Sequence, residues 1–242
     1  MRRYLTLPLA AGTLLPLALA TPAGAAGNGV AGKNAPAIVA ASLAAMRAAP
    51  SFSLDGSIVT VGETIGIHLT VSTDHGSKGT LTINGDAVHL LEIGQVVYFS
   101  AGKPFWKKQG GSAIAQLFAG RWVDAPVTNS SFSSFSDFLD PQRLTSQLLP
   151  DPHSTDLHKG RTSVVAGRRV VAVSGTSSSD GSKSTIYVAT SGKPYVVRLS
   201  SDGSGSGTGS GRGSVTFTGY GKPVHVLAPK NPISYTALTG GS

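Results

Sequence analysis

Few side chains in this chain are spaced for catalysis. Of its six histidines, His153 and His158 flank Asp156 in a stretch read as a loop. That trio could hold a metal, but its spacing fits no standard zinc signature, and solvated loop positions are the simpler account. His68 and His89 fall on the polar phase of alternating strand patterns. Asp124, Asp137, Asp140 and Asp151 could supply the paired carboxylates of glycoside cleavage. With only 12 acidic residues in the chain, a chance pairing is the plainer reading. Serine is abundant, yet there is no G-x-S-x-G elbow. No Walker loop or dinucleotide fingerprint occurs. The glycine-rich tract at 203–213 lacks the strand-to-helix setting that cradles phosphate. The expectation is a protein without catalytic residues, resident metal or cofactor.

A different chemistry is written in the apolar residues. Phe132, Phe135, Phe138 and Leu139, then Leu144 and Leu148, sit at helical spacing on two short segments. They pose a choice between plain core packing and a lid over a hydrocarbon site. Phe105, Trp106, Phe118 and Trp122 flank another helical segment. They either close one end of the core or line a cavity mouth. Burial of hydrocarbon needs no catalytic group: at about 0.8 kcal/mol per CH₂, a chain of roughly 14 carbons gains on the order of 10 kcal/mol before entropic losses. Lys107, Lys108 and Arg121 lie beside these aromatics. They read as surface charges or as contacts for phosphate head groups at an entrance.

The elements that must position these residues follow from periodicity. Asn34 and Pro36 read as an N-cap and first-turn proline ahead of an amphipathic helix over 37–49, ended by Pro50. Residues 63–72 alternate, with Ile65, Ile67, Leu69 and Val71 on one side and Thr64, His68 and Thr70 on the other. Strands are predicted over 51–60, 79–83, 86–93 and 95–100, with a tight hairpin at Asn84-Gly85. A helix over 112–118, a short extended piece at 121–123 and two short helices over 133–139 and 141–149 fill the middle. Strands resume over 156–165, 168–174, 183–189, 195–200 and 213–220. A final extended piece is read at 224–227, and 201–214 is a flexible hairpin tip. Runs of strands with segregated helices imply an α+β fold: an antiparallel sheet with helices on one face. Such a sheet is long enough to curl, and a curled sheet can leave an apolar cavity under its helices.

The N-terminus carries Arg2-Arg3, an apolar run over 5–20 broken by Pro8 and Pro16, and Ala23-Gly24-Ala25 in A-x-A spacing. Residues 1–25 are therefore read as a secretory signal peptide, 26–35 as a linker, 36–229 as one domain and 230–242 as a loose tail. There is no cysteine for acylation, disulfides or Cys-type zinc sites, so a secreted or extracytoplasmic protein with no lipid anchor is expected. Charged residues make up only 13% of the chain against 40% hydrophobic ones, which suits strands and turns. The formal charge of +8 favours anionic envelope surfaces. The basic residues are dispersed, without the Lys/Arg stripe and interleaved aromatics that nucleic acid requires.

Four blocks carry a family likeness: Gln95-Val-Val-Tyr-Phe-Ser running into Pro104-Phe-Trp-Lys-Lys; Ala119-Gly-Arg-Trp-Val; Ile186-Tyr-Val-Ala-Thr-Ser-Gly-Lys-Pro-Tyr-Val-Val-Arg-Leu; and Phe217-Thr-Gly-Tyr-Gly-Lys-Pro-Val-His-Val-Leu-Ala-Pro. In order and spacing, across 36–229, they resemble the bacterial envelope lipoprotein family of LppX and LprG, the LppX/LprAFG family. The resemblance implies a curved antiparallel half-barrel, similar to the carriers LolA and LolB, with helices on its concave face. It also implies an apolar cavity that takes acyl chains of lipids or glycolipids. Family members usually carry a lipobox cysteine, which this chain lacks. The ligand-binding residues expected on this basis are Phe132, Phe135, Phe138, Leu139, Leu144, Leu148, Trp106 and Trp122. The alternative is a sensor or protein-interaction module of the same fold, meeting an envelope protein partner.

Overall fold

A computed structural model describes residues 27–60, 62–129, 133–150, 156–176, 182–204 and 211–235. The proposed signal peptide and Phe132 lie outside these residues. Twelve strands form one open sheet in the order β12-β6-β5-β4-β3-β2-β1-β11-β10-β9-β8-β7. Their ranges are β1 Ser51–Thr60, β2 Glu63–Ser72, β3 Ser77–Ile83, β4 Asp86–Ile93, β5 Val96–Ala101, β6 Val123–Pro126, β7 Leu157–Val165, β8 Arg168–Thr176, β9 Lys183–Ala189, β10 Val196–Asp202, β11 Arg212–Thr218 and β12 Ile233–Ser234. Every pair is antiparallel except β12 with β6. The sheet is thus two meanders, β1 to β6 and β7 to β11, joined where β1 meets β11. The architecture is α+β, as the element pattern predicts.

Alternation along each strand sends one set of side chains to a common inner face. Phe52 and Leu54, Leu69 and Val71, Val88 and Leu90, Val97 and Phe99, Val171 and Val173, and Val215 and Phe217 all join one buried cluster. Four helices cover that face: α1 Ala35–Arg47, α2 Lys103–Phe118, α3 Ser133–Leu139 and α4 Pro141–Leu148. Helix α1 lies against β7 and β8, α2 against β4 and β5, and α3 against β2 and β4, while α4 packs on α1 and α3. A small second cluster, Val170, Ala189 and Val197, sits on the opposite face.

Local chemistry explains the helix ends. Asn34 Oδ1 accepts from Ala37 N at 3.0 Å, and Pro36 stands in the first turn of α1. Ile38, Val39, Leu43 and Met46 face the sheet. Tyr220 fastens this helix from below. Its hydroxyl donates to the Val196 carbonyl and lies 3.1 Å from Met46 Sδ, and its ring stacks on Tyr195 at 3.9 Å.

Several boundaries differ from the sequence reading. Helix α2 begins at Lys103, well before 112, and breaks at Gly111 (φ 78°, ψ −173°). The Gly110-Gly111 pair has little intrinsic helicity and masks the helix in the sequence, while burial of Phe105 and Trp106 holds the turns before it. Residues 27–35, most of the expected linker, are tied down: Gly27 bridges Ser191, and Val30 is buried in a 3-10 turn. The supposed loose tail contributes β12, with Ile233 N donating to Trp122 O at 2.8 Å. The piece at 224–227 forms no strand, although Val224 is buried.

Two tight turns invite comparison. Asn84-Gly85 has φ values of 49° and 88°, and Ala166-Gly167 has 48° and 73°. Both are primed hairpin turns, which need the left-handed region at each central residue. Asparagine tolerates that region and alanine does not. Ala166→Asn is therefore expected to stabilise the fold by about 0.5–1 kcal/mol in urea titration.

Candidate ligand-binding site

The inner face is apolar over most of its area and polar at one end. Strand β4 shows the change: Val88, Leu90 and Glu92 share one phase, so the stripe ends in a carboxylate under the helices. Its cross-strand neighbours are Ser77 on β3 and Val97 on β5. Ser77 is satisfied, donating to Leu139 O at 2.7 Å and accepting from Ser72 N at 3.1 Å. It thereby pins the end of α3 to the sheet. Glu92 Oε2 is buried and has no hydrogen-bond partner among the described residues.

Around Glu92 lies a cavity of about 520 Å³, lined also by Gln95, Val127, Thr128, Ser136, Asp140 and Arg143. Asp140 caps α4, its Oδ1 accepting from Gln142 N at 2.7 Å and Arg143 N at 3.1 Å. Arg143 donates to Asp137 at 2.5 Å and stands 3.6 Å from Asp140 Oδ2. Burial pushes the Glu92 carboxyl up to about 7; the Asp140 carboxylate adds to the rise and Arg143 opposes it.

A measurable pH dependence follows. Glu92 is harder to ionise in the fold than in the open chain. Its contribution to stability is therefore complete below the ordinary carboxyl value of 4.5 and is lost as pH climbs through about 7. Between pH 5 and 8 the protein is expected to lose about 1–2 kcal/mol at this site, the half-buried position being discounted for screening. Glu92→Gln should flatten that slope in urea melts at the two pH values.

The apolar candidates divide. Trp106, Leu139 and Leu144 are buried in the main core cluster, and Phe138 and Leu148 pack against it partly exposed. Trp106 is held among Phe99 (5.6 Å between ring centroids), Phe105 (5.4 Å) and Phe118 (5.0 Å). Phe135 falls in α3, with its side chain outside the described residues. Trp122 is not brought to the others. It precedes β6 out of phase with inward Val123 and Ala125, and lines a groove of about 300 Å³ with His68, Thr70, Lys78, Thr80 and His89 on the outer face. Thr80 Oγ1 and His89 Nδ1 are 3.0 Å apart there, and His68 pairs with Asp55. The outer face also carries a polar depression of about 660 Å³ containing Asp156, His158, Lys183 and Asp202. His158 meets Asp156 at 3.0 Å, and hydrogen bonds from Thr176 and then His158 hold the Asp156 carboxyl below its ordinary range. No group of three or more His, Asp or Glu among the described residues is placed to hold a metal. Lys108 bonds Asp86 at 2.7 Å, so one of the candidate head-group cations is already paired.

Sequence reading passed over Glu92. The available signal was its phase: two residues after Leu90 on an alternating strand, it had to face the helices.

An open half-barrel of antiparallel strands, with helices laid across its inner face, defines the LolA-like class. Two solved structures share it. Lipoprotein LppX of Mycobacterium tuberculosis is 19% identical, with 79% of this chain and 99% of that one covered and a TM-score of 0.50. LprF from Mycobacterium bovis is 14% identical, with 81% and 96% covered and a TM-score of 0.55. No family model and no curated protein matches the chain. The likeness that the four sequence blocks suggest is thus one of three-dimensional structure.

Proposed function

We propose that this protein is an extracytoplasmic binding or carrier protein for lipids or glycolipids, holding acyl chains between the sheet and the helices. The observation that carries this reading is the fold shared with LppX and LprF, combined with an inner face that is apolar over most of its area and has two short helices among those covering it. Helices α3 and α4 have seven and eight residues. Such short helices have little stability of their own and depend on their packing, which suits a cover that admits a ligand. Leu139, Leu144, Phe138 and Leu148 are the side chains such a ligand would meet. An exported chain with an A-x-A cleavage site and no cysteine would act free of a lipid anchor, and its positive charge would favour anionic membrane surfaces. No helix among the described residues is long and apolar enough to cross a membrane.

The test is native mass spectrometry of protein purified from its own host. A co-purifying acyl lipid, lost on delipidation and regained on incubation with host lipid extract, is the expected result. Delipidated protein that takes up no amphiphile of any kind would overturn the proposal.

A further inference from the structure

The cations of this chain are unevenly spread. Between Ser51 and Pro150 the described residues hold eight Asp or Glu against six Lys or Arg. Between Leu157 and Ser201 they hold seven Lys or Arg and no Asp or Glu; Asp180, in the β8–β9 connection, lies outside the described residues. The positive charge of the sheet therefore sits on its second meander, along one edge and around the turns at one end. Lys159 and Arg161 lie on the edge strand β7, Arg168 and Arg169 open β8, and Lys193 stands in the β9–β10 turn. Val170 pairs with Ala189, which brings the β7–β8 and β9–β10 turns to the same end of the sheet. Lys33 joins them, following the 3-10 turn that leans on β8. None of these six cations is in an ion pair among the described residues. In their midst Val164, which faces Arg169 across the hairpin, is 66% exposed beside the exposed turn at Ala166-Gly167.

We infer that this edge and its turns are the surface by which the protein docks on a bilayer of anionic phospholipid, with the β7–β8 tip entering the head-group layer. The inference rests on the carrier reading above for the presence of a membrane, and says where on the molecule that membrane is met. Protection of an open edge against strand pairing explains Lys159, Arg161 and the bulge between Lys159 and Thr162. It leaves Arg168, Arg169 and Lys193 unexplained, because β8, β9 and β10 are each paired on both sides. Cations spread along an edge and two turns match a plane of phosphates. A valine among arginines suits the boundary of head groups and acyl chains, where the apolar side chain is buried and each guanidinium reaches a phosphate. An acidic protein would satisfy the charges alone. Protein interfaces are anchored by aromatic side chains, and Tyr187 and Tyr195 of this meander are half-buried.

The experiment floats the purified protein with vesicles of mixed phosphatidylglycerol and phosphatidylcholine, and with vesicles of phosphatidylcholine alone. Wild type is expected to partition onto the first and not the second, and to be released by high salt. Each Lys or Arg near an anionic surface is worth about fivefold in partition, so the triple variant Arg161→Gln, Arg169→Gln, Lys193→Gln should bind about 100-fold less. The three side chains are exposed and glutamine keeps most of their stems, so the variant folds; circular dichroism checks this. Lys103→Gln, Lys107→Gln, Arg121→Gln removes the same net charge from exposed positions in and beside α2, and should lose less than about fivefold. The chain has no cysteine, so Val164→Cys can carry a single polarity-sensitive dye, expected to brighten on anionic vesicles. The same dye at Val59→Cys, 50% exposed at the far end of β1, should not respond. Equal losses in the two triple variants, or a Val164 dye that stays dark while the protein floats, overturn the docking surface. So does failure of wild type to float, which leaves the carrier reading standing on the mass-spectrometric test, where no vesicle is used. Binding of soluble poly-glutamate without flotation overturns the bilayer in favour of an acidic protein partner.

Discussion

Phe99→Ala is expected to cost about 3–5 kcal/mol of unfolding free energy, with the urea m-value unchanged. Phe99 is 1% exposed on the inner face of β5 and is the platform on which Trp106 rests. Through Trp106 it holds Phe105 and Phe118, and so both ends of α2. Strand β5 is paired on both sides, by β4 and β6, so the backbone cannot move in to close the void. The loss therefore includes a cavity contribution as well as the transfer of the ring. Trp122→Ala is the matched control. It removes a larger ring from the outer face and is expected to cost about 1 kcal/mol or less. Equal losses for the two variants would mean that α2 does not seat on this face.

Gly213→Ala should be at least as damaging, about 3–5 kcal/mol, although it adds a single methyl group. A Cβ at Gly213 would lie 2.0 Å from Ser57 O, and one at Gly56, across the same pair of strands, 2.1 Å from Ser214 O. Strands β1 and β11 approach so closely here that only hydrogen fits. The neighbour in each case is backbone, which cannot swing aside as a side chain could. Relief requires the two strands to part and lose ladder hydrogen bonds. Gly221→Ala serves as the comparison in a thermal melt: its φ of 70° makes alanine strained, yet nothing lies within 4 Å of the added carbon. If Gly213→Ala proved the milder of the two, the close approach of β1 and β11 would be wrong.

Much of the architecture was legible because the strands are half-buried and alternate cleanly, as at Ile65 to Val71, and because Asn84-Gly85 and Asn34-x-Pro36 are local signals that need no tertiary help. The four blocks that suggest the family fall at junctions: into β5 and α2, into β6, across the β9–β10 hairpin, and out of β11. Chain direction is most constrained there. What could not be read was set by distant contacts. The first half of α2 is helical only because Phe105 and Trp106 find Phe99. The tail becomes a strand only because β6 offers an edge. The aromatic quartet was split for a similar reason: Trp106 and Trp122 are near in sequence, but a helix and a turn between them place them on opposite faces. At the site, hydrophobic spacing marks α3 and α4 as helices, while the carboxyl of Glu92 beneath them carries no hydrophobic signal and is betrayed only by its phase on β4.

The joining of two meanders at β1 and β11 has a kinetic consequence. Every other antiparallel pair links strands that are consecutive in the chain, all but β5–β6 without a helix between them, and hairpins form in microseconds. The β1–β11 pair links segments from opposite ends and must await both halves, since its last strand is nearly the last to be made. Such non-local pairing slows folding. Until that seam zips, each half presents a naked edge and an uncovered apolar surface, the condition in which chains aggregate. A chain that crosses a membrane unfolded and then has to close this seam would spend that interval in need of a holding chaperone, and the rate of seam closure would limit its yield.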